Sequence, residues 1–323
     1  MNPCQWFRLI LGVAVVVLVS ATLASSSFPA STVVRVLVVK ATWGPQPQSD
    51  VTDLTQPTAK FYANASFGTV QLSFTETPWL NAYSDASICA DIPQVLDQGQ
   101  AAAASYQPTT FDHVIYVTPC KLVDVGSDAF HRGTVGLPAS PQLFEHELGH
   151  TFGISHAGSY DCDPKCSLNV YGNLLDVMGG GIGDFGALQK AEAGWPVNVR
   201  YVPTHGTYRL AALEAPSTLP QALVIHRGAV DLWIDHREAI GNDASLKTSL
   251  WKRVTNGVLV HEAPANAPEI PFNTRRPDFL LGNGGPKGFW LMRGKTFTVP
   301  HVVRITVSKH VGTVVTVRLN PLT

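Results

Sequence analysis

Charge is scarce in this 323-residue chain: Lys, Arg, Asp and Glu together make up 15% of it and almost cancel, for a formal net charge of −1. About a quarter would be ordinary for a soluble protein. With so little field of either sign, nothing steers a polyanion toward the surface, and nucleic acid is excluded as an expected partner. Long hydrophobic runs are missing too, except at the extreme N-terminus, where Arg8 precedes an apolar run from Leu9 to Val19 and then small residues from Ala24 to Ser27. That run is well short of the ~20 residues needed to span a bilayer. Its order of positive, apolar and small residues is that of a secretory signal. Residues 1–26 are therefore expected to be a cleaved signal peptide, leaving a secreted, extracellular protein with no stable membrane anchor.

Cysteine is sparse. Of the five, Cys4 falls in the signal, leaving Cys89, Cys120, Cys162 and Cys166. An even number in an oxidising compartment implies two disulfides. Three pairings are possible; joining Cys89 to Cys120 and Cys162 to Cys166 closes one long and one short loop. A four-thiolate zinc site would need two close pairs, and Cys89 and Cys120 are not one. Asn64-Ala65-Ser66 is the one glycosylation sequon, an expected glycan site at Asn64 or otherwise a surface turn. With no cysteine between the signal and the first strand, a cysteine-switch pro-segment is not expected.

Internal repeats and long low-complexity tracts are also absent. What remains alternates. The β-branched run "TVVRVLVVKAT" predicts a buried strand ending near Thr42, and a helical pattern follows from about Val51 to Ala65, with Pro57 in its first turns. "TVQLSFTET" predicts a second strand, Ile92 to Tyr106 a second helix, and Phe111 to Cys120 another buried strand. This order implies an α/β unit with helices packed on a mainly parallel, twisted sheet. Residues Ala129 to Pro138 read as a shorter, more exposed edge strand. Past Trp195-Pro196 the texture changes to short apolar runs between turn signals, among them "ALVIHR", "LWIDHRE", "GVLVHEA" and "GTVVTVRL", which predict an all-β, sandwich-like domain. The expected organisation is a signal at 1–26, a catalytic α/β domain at 27–196 and a β-domain at 197–323.

Between the two lies "LFEHELGHTFGISHAG", residues 143–158. Ser140-Pro141 is a helix start, since Ser can cap free N–H groups and Pro tolerates the first helical position. Residues four apart share a helical face, so His146 and His150 present their imidazoles side by side, with Glu147 one step around. Gly153 can take the left-handed conformation that ends a helix, letting His156 swing back toward the same point. Three neutral imidazoles with a fourth position open to water make a catalytic zinc site, whereas a structural site is closed by four protein ligands.

The string "HELGHTFGISH" resembles the zinc signature of the metzincin metalloproteases. A metzincin also carries a methionine turn beneath the metal, and "YGNLLDVMGGG" offers Met178, in a chain with three methionines in all. Together with "LQKAEAGW", these segments are similar to the gametolysin family of secreted peptidases, over roughly residues 32 to 196. The resemblance implies a metzincin-like catalytic domain with a zinc helix and a Met-turn, and one catalytic Zn2+ held by His146, His150 and His156. It also implies extracellular or cell-wall glycoprotein substrates. Two features depart from relatives: His146 stands where some members carry Gln, and no Met-x-Tyr follows the turn, so the role of Tyr171 is undetermined.

Zinc lowers the pKa of a bound water to about 7. Glu147 is expected to take that water's proton as general base and to deliver it to the leaving amine. Glu145 is the competing carboxylate, turned from the metal-facing side and expected to be solvated or to act behind the ligands. The expected activity is therefore zinc-dependent hydrolysis of peptide bonds, with the edge strand near His131 to Val135 holding the substrate by strand addition. Two other readings of the same features are a zinc amidase acting on a small molecule and a non-catalytic secreted protein binding through its β-domain.

Overall fold

Val36 and Val38 of the first strand face one way and Leu37 and Val39 the other, and all four are fully buried. A strand covered on both faces belongs inside a parallel sheet flanked by helices. The computed structural model describes residues 31–45, 51–120, 132–162, 166–248, 254–265, 278–281 and 291–322. In it, β1 (Thr32–Thr42) pairs in parallel with β2 (Val70–Glu76), the short β3 (Leu80–Asn81) and β4 (His113–Thr118), and β5 (Arg132–Gly136) pairs in parallel with β4. The order along the sheet is β2-β1-β4-β5, all parallel.

Among the described residues four α-helices accompany the strands: α1 (Thr52–Ala65), α2 (Ile92–Ala102), α3 (Pro141–Thr151) and α4 (Ala187–Glu192). On one face, Phe61 and Tyr62 of α1 and Phe144 and Leu148 of α3 share a core with Val36, Val38, Ile115 and Val117. On the other, Val95 and Leu96 of α2 pack on Leu37, Val39, Val114 and Tyr116. The mixed α/β unit thus has three layers. A disulfide between Cys89 and Cys120, with Cα atoms 5.4 Å apart, staples the turn before α2 to the end of β4.

Two expected elements differ in detail. The second helix ends at Ala102, and a 3-10 turn follows at Ala104–Tyr106, because Gln107 takes a left-handed φ of 52° ahead of Pro108. β5 does lie at the sheet's edge, yet Gly133 to Gly136 are buried, since α3 lies directly over them. A Cβ on Gly133 would meet Thr151 and the Glu147 carbonyl at 3.0 and 3.2 Å.

The remaining strands are β6 (Ala157–Cys162), β7 (Cys166–Asn169), β8 (Val199–Tyr201), β9 (Gly206–Ala211), β10 (Ala222–Arg227), β11 (Val230–Asp235), β12 (Gly257–Pro264), β13 (Asp278–Leu281), β14 (Leu291–Met292), β15 (Thr296–Val299), β16 (Val303–Val311) and β17 (Val314–Pro321). An eight-stranded, mainly antiparallel sheet runs β7-β6-β13-β12-β11-β10-β8 with β14 beside β12, and a four-stranded one runs β15-β16-β17-β9. Ile225, Ile234 and Val260 of the first sheet and Ile305, Val317 and Leu210 of the second fill one apolar core. The larger sheet takes β6 and β7 from before Trp195 and its other strands from after it, so backbone pairing of β6 with β13 joins segments on either side of residue 196.

Among the described residues no helix is long and apolar enough to cross a membrane. The expected signal at 1–26 and residue His131 lie outside the described residues. Cys162 and Cys166 face each other in the β6–β7 ladder, but their side chains, and hence the expected bridge between them, also lie outside what is described. Asn64 sits on the last turn of α1, where its side-chain amide donates to Asn242 Oδ1 at 3.0 Å.

Candidate metal centre

Helix α3 begins where the sequence predicts: Ser140 Oγ accepts from the Leu143 N–H at 3.1 Å and Pro141 takes the first turn. It ends in a Schellman motif. Gly153, at φ 76°, donates to the His150 carbonyl at 2.7 Å, and Ile154 donates to the Gly149 carbonyl at 3.1 Å. This reversal returns the chain to the helix's metal-facing side, and His156 comes with it. The Nε2 atoms of His146 and His156 lie 3.1 and 3.0 Å from Nε2 of His150. His146 and His150 are buried and His156 is half-buried.

The other ring nitrogens of His146 and His150 are committed. Nδ1 of His146 donates to the Val177 carbonyl at 2.7 Å and Nδ1 of His150 to the Ile154 carbonyl at 2.9 Å. A carbonyl only accepts, so the proton of each neutral imidazole is on Nδ1 and the lone pair is on Nε2. The Nε2 lone pairs of His146 and His150, 3.1 Å apart, repel unless a cation lies between them. Ligand nitrogens about 3.3 Å apart are what zinc–nitrogen bonds of about 2.0–2.1 Å give in tetrahedral geometry. The separations of His146 and His156 from His150 match that to within a few tenths of an ångström, and all three donors lie within 4.8 Å of one another, so the residues present fit a zinc ion.

Met178 is fully buried under α3. A Cβ on Gly149 would come within 2.5 Å of its sulfur, so the glycine between the two helical ligands is what lets the methionine approach. The turn carrying it is held by Asp176, whose Oδ1 accepts from the Met178 N–H at 2.8 Å and whose Oδ2 accepts from the Gly186 N–H at 2.8 Å. The Met178 carbonyl accepts from the Ala157 N–H at 2.9 Å, fixing the residue after His156. One turn therefore braces the first and third histidines. Glu147 is buried on α3. Glu145 is half-buried rather than solvated, and burial, with the nearby Asp184 charge second, raises its carboxyl to about 8.

No protein-family profile matches the chain, and no curated protein matches it. Among solved structures it is similar to the 1.5 Å crystal structure of Archaemetzincin from Methanopyrus kandleri, at 13% identity and a TM-score of 0.27, over 50% of this chain and 93% of that one.

Several residues at the site had no assigned role in the sequence. The ring of Tyr171 lies 4.3 Å from that of His156 and 6.0 Å from that of His146. Arg237, fully buried just past β11, donates to the Asp184 carbonyl and to Asp243 Oδ2, both at 3.0 Å, and its guanidinium lies 3.8 Å from Asp176. Burial works against its charge, but Asp243, Asp235, Glu214 and Asp176 hold it well above its ordinary pKa. Lys190 pairs with Asp184 at 2.6 Å with both side chains buried. The "DVM" tripeptide was a usable local signal for an Asx turn at Asp176; nothing local pointed from Arg237, 59 or so positions on, back to the methionine turn.

Proposed function

We propose that this chain is a secreted zinc-dependent endopeptidase of the metzincin type, similar to gametolysins, that hydrolyses extracellular or cell-wall proteins. The observation that carries the reading is the convergence of the three Nε2 atoms with two Nδ1 protons directed away from it. His146, His150 and His156 would hold the ion. Zinc in such a site would supply Lewis acidity toward a peptide carbonyl and lower the pKa of a bound water to about 7.

The protein groups then have defined tasks. Glu147 takes one proton from the attacking water and passes it to the leaving amine, so that the C–N bond breaks as a carboxyl and an amine form. Its burial favours this proton shuttling over mere solvation. Met178 and its turn hold the His146 ring and the backbone just after His156. β5, at the sheet's edge, receives the substrate chain as an added strand. In this reading residues 27–196 carry catalysis, residues 197–323 form the β-domain, and Asn64 is a glycan acceptor.

The test uses purified protein with denatured casein or gelatin, zinc, and a chelator arm. Chelation should abolish cleavage and zinc should restore it. Glu147→Gln should keep its bound zinc and lose about 100-fold or more of turnover. Undiminished cleavage by that variant would overturn the mechanism. Cleavage of small amides but of no protein would point instead to an amidase, and cleavage of neither would leave a binding protein.

A further inference from the structure

A second cluster of ligand-type side chains lies away from the α3 histidines. His236 and Glu238 follow β11, in the eight-stranded sheet, and His310 comes from β16, in the four-stranded one. Their donor atoms all lie within 4.8 Å of one another. Oε1 of Glu238 is 2.8 Å from His310 Nε2 and 3.2 Å from His236 Nε2. The backbone register of β16 against β17 shifts between Val307 and Lys309, and this irregularity falls two residues before His310.

The two imidazoles are oriented by one short stretch of chain. His236 donates from Nδ1 to the Gly257 carbonyl at 2.7 Å, and His310 Nδ1 lies 3.2 Å from Asn256 Oδ1. The Gly257 carbonyl fixes the His236 proton on Nδ1, so its Nε2 lone pair faces the Glu238 carboxylate, while His310 Nε2 donates to the same carboxylate oxygen at 2.8 Å, a bond that an incoming ion would replace; each ring is held from behind at Nδ1. This is the arrangement that supports histidines at metal centres. His236 is fully buried, and its Nε2 makes no hydrogen bond, the Glu238 oxygen lying near but outside hydrogen-bond geometry. A buried acceptor left in this condition is costly. A cation between the three donors would satisfy it. Glu238 and His310 keep 17% and 20% of their side chains exposed, so an ion can enter from solvent and complete its shell with water.

We propose that His236, Glu238 and His310 form a second metal site, for a divalent ion of the zinc class, that ties the two β-sheets together. Two imidazoles and one carboxylate suit zinc; calcium and magnesium require mostly oxygen ligands. The same short segment carries Arg237, which reaches the opposite way to Asp184 and Asp243 near the methionine turn. An ion here would stiffen the support behind Met178 without touching substrate. The site stands on its own residues and does not depend on the peptidase reading.

The test is zinc stoichiometry on the full chain, titrated with zinc chloride against a chromophoric chelator. The parent should bind two equivalents and His310→Gln one, while Glu238→Gln should weaken one of the two by tenfold or more. A second variant, with His146→Ala and His150→Ala together, leaves this cluster intact and should still bind one zinc and melt at a higher temperature with zinc than without; calcium chloride should do neither. An equal zinc count in the parent and His310→Gln, or none in the double variant, would each overturn the proposal.

Discussion

The Nδ1–H of His146 donates to the carbonyl of Val177, 31 positions away, at 2.7 Å. The residue next to that carbonyl is Met178, whose sulfur fills the space that Gly149 leaves on the underside of α3. Ring orientation and methionine packing are thus set by the same turn. Met178→Ala would open a cavity beneath the ligands, with an expected cost of about 2–5 kcal/mol. Because the Val177 carbonyl moves with the turn, zinc affinity should fall by about 10–100-fold. Met178→Leu should retain most of both. Chemical denaturation and competitive zinc titration of the three proteins check this.

Tyr171 contacts His156 through its ring, with centroids 4.3 Å apart. Tyr171→Phe keeps that contact and should bind zinc as the parent does. Tyr171→Ala removes it and should weaken zinc binding by roughly 2–10-fold, the range expected from an aromatic contact of about 0.5–1.5 kcal/mol. If Phe weakens zinc binding as much as Ala, the hydroxyl and not the ring supports the site.

The buried guanidinium of Arg237 faces Asp176, Asp235, Asp243 and Glu214. Burial, and next the Asp243 charge, push the Glu214 carboxyl well above its ordinary range. Removing the cation by Arg237→Met leaves acidic groups uncompensated and should cost about 3–5 kcal/mol. It also frees Asp176, which holds the Met178 N–H. Zinc affinity should fall with stability even though Arg237 touches no ligand. Unchanged affinity in a folded Arg237→Met protein would separate the β-region from the metal centre.

Acid should weaken the protein partly through Asp235. Burial alone would raise this carboxyl, but the His261 imidazole 3.3 Å away, its hydrogen bond and the Arg237 charge together bring the pKa below the ordinary 3.8. A carboxyl depressed in the folded state stabilises fully above the unfolded value and loses that contribution as pH falls through the folded one. Parent and Asp235→Asn stabilities should therefore differ most above about pH 4 and converge below it. Urea denaturation across pH 2.5 to 7 reads the difference. A gap that widens toward acid would contradict the assignment.

Much of the α/β unit follows from local pattern. Apolar runs of the right length gave β1, β2 and β4, and Ser140-Pro141 and Gly153 mark both ends of α3, because capping and left-handed φ are decided by the residues on the spot. The spacing of His146, His150 and His156 is likewise local chemistry written along one helix and its exit. β5 was legible as an edge strand but not as a buried one, since its burial depends on α3 crossing over it. The joining of β6 to β13 across residue 196 was not legible at all, because pairing between distant strands leaves no periodic trace in either.

The sequence by itself determined which side chains can hold a metal and where the helix that carries them starts and stops, since those properties depend on residue type and on neighbours within a few positions. Only the tertiary structure decided what fixes those side chains: the Val177 carbonyl behind His146, Arg237 behind the methionine turn, and His310 brought to His236 and Glu238. These contacts join residues 31 to 74 positions apart. Such partners are selected by how layers pack, a property of the whole chain that no short stretch of it encodes.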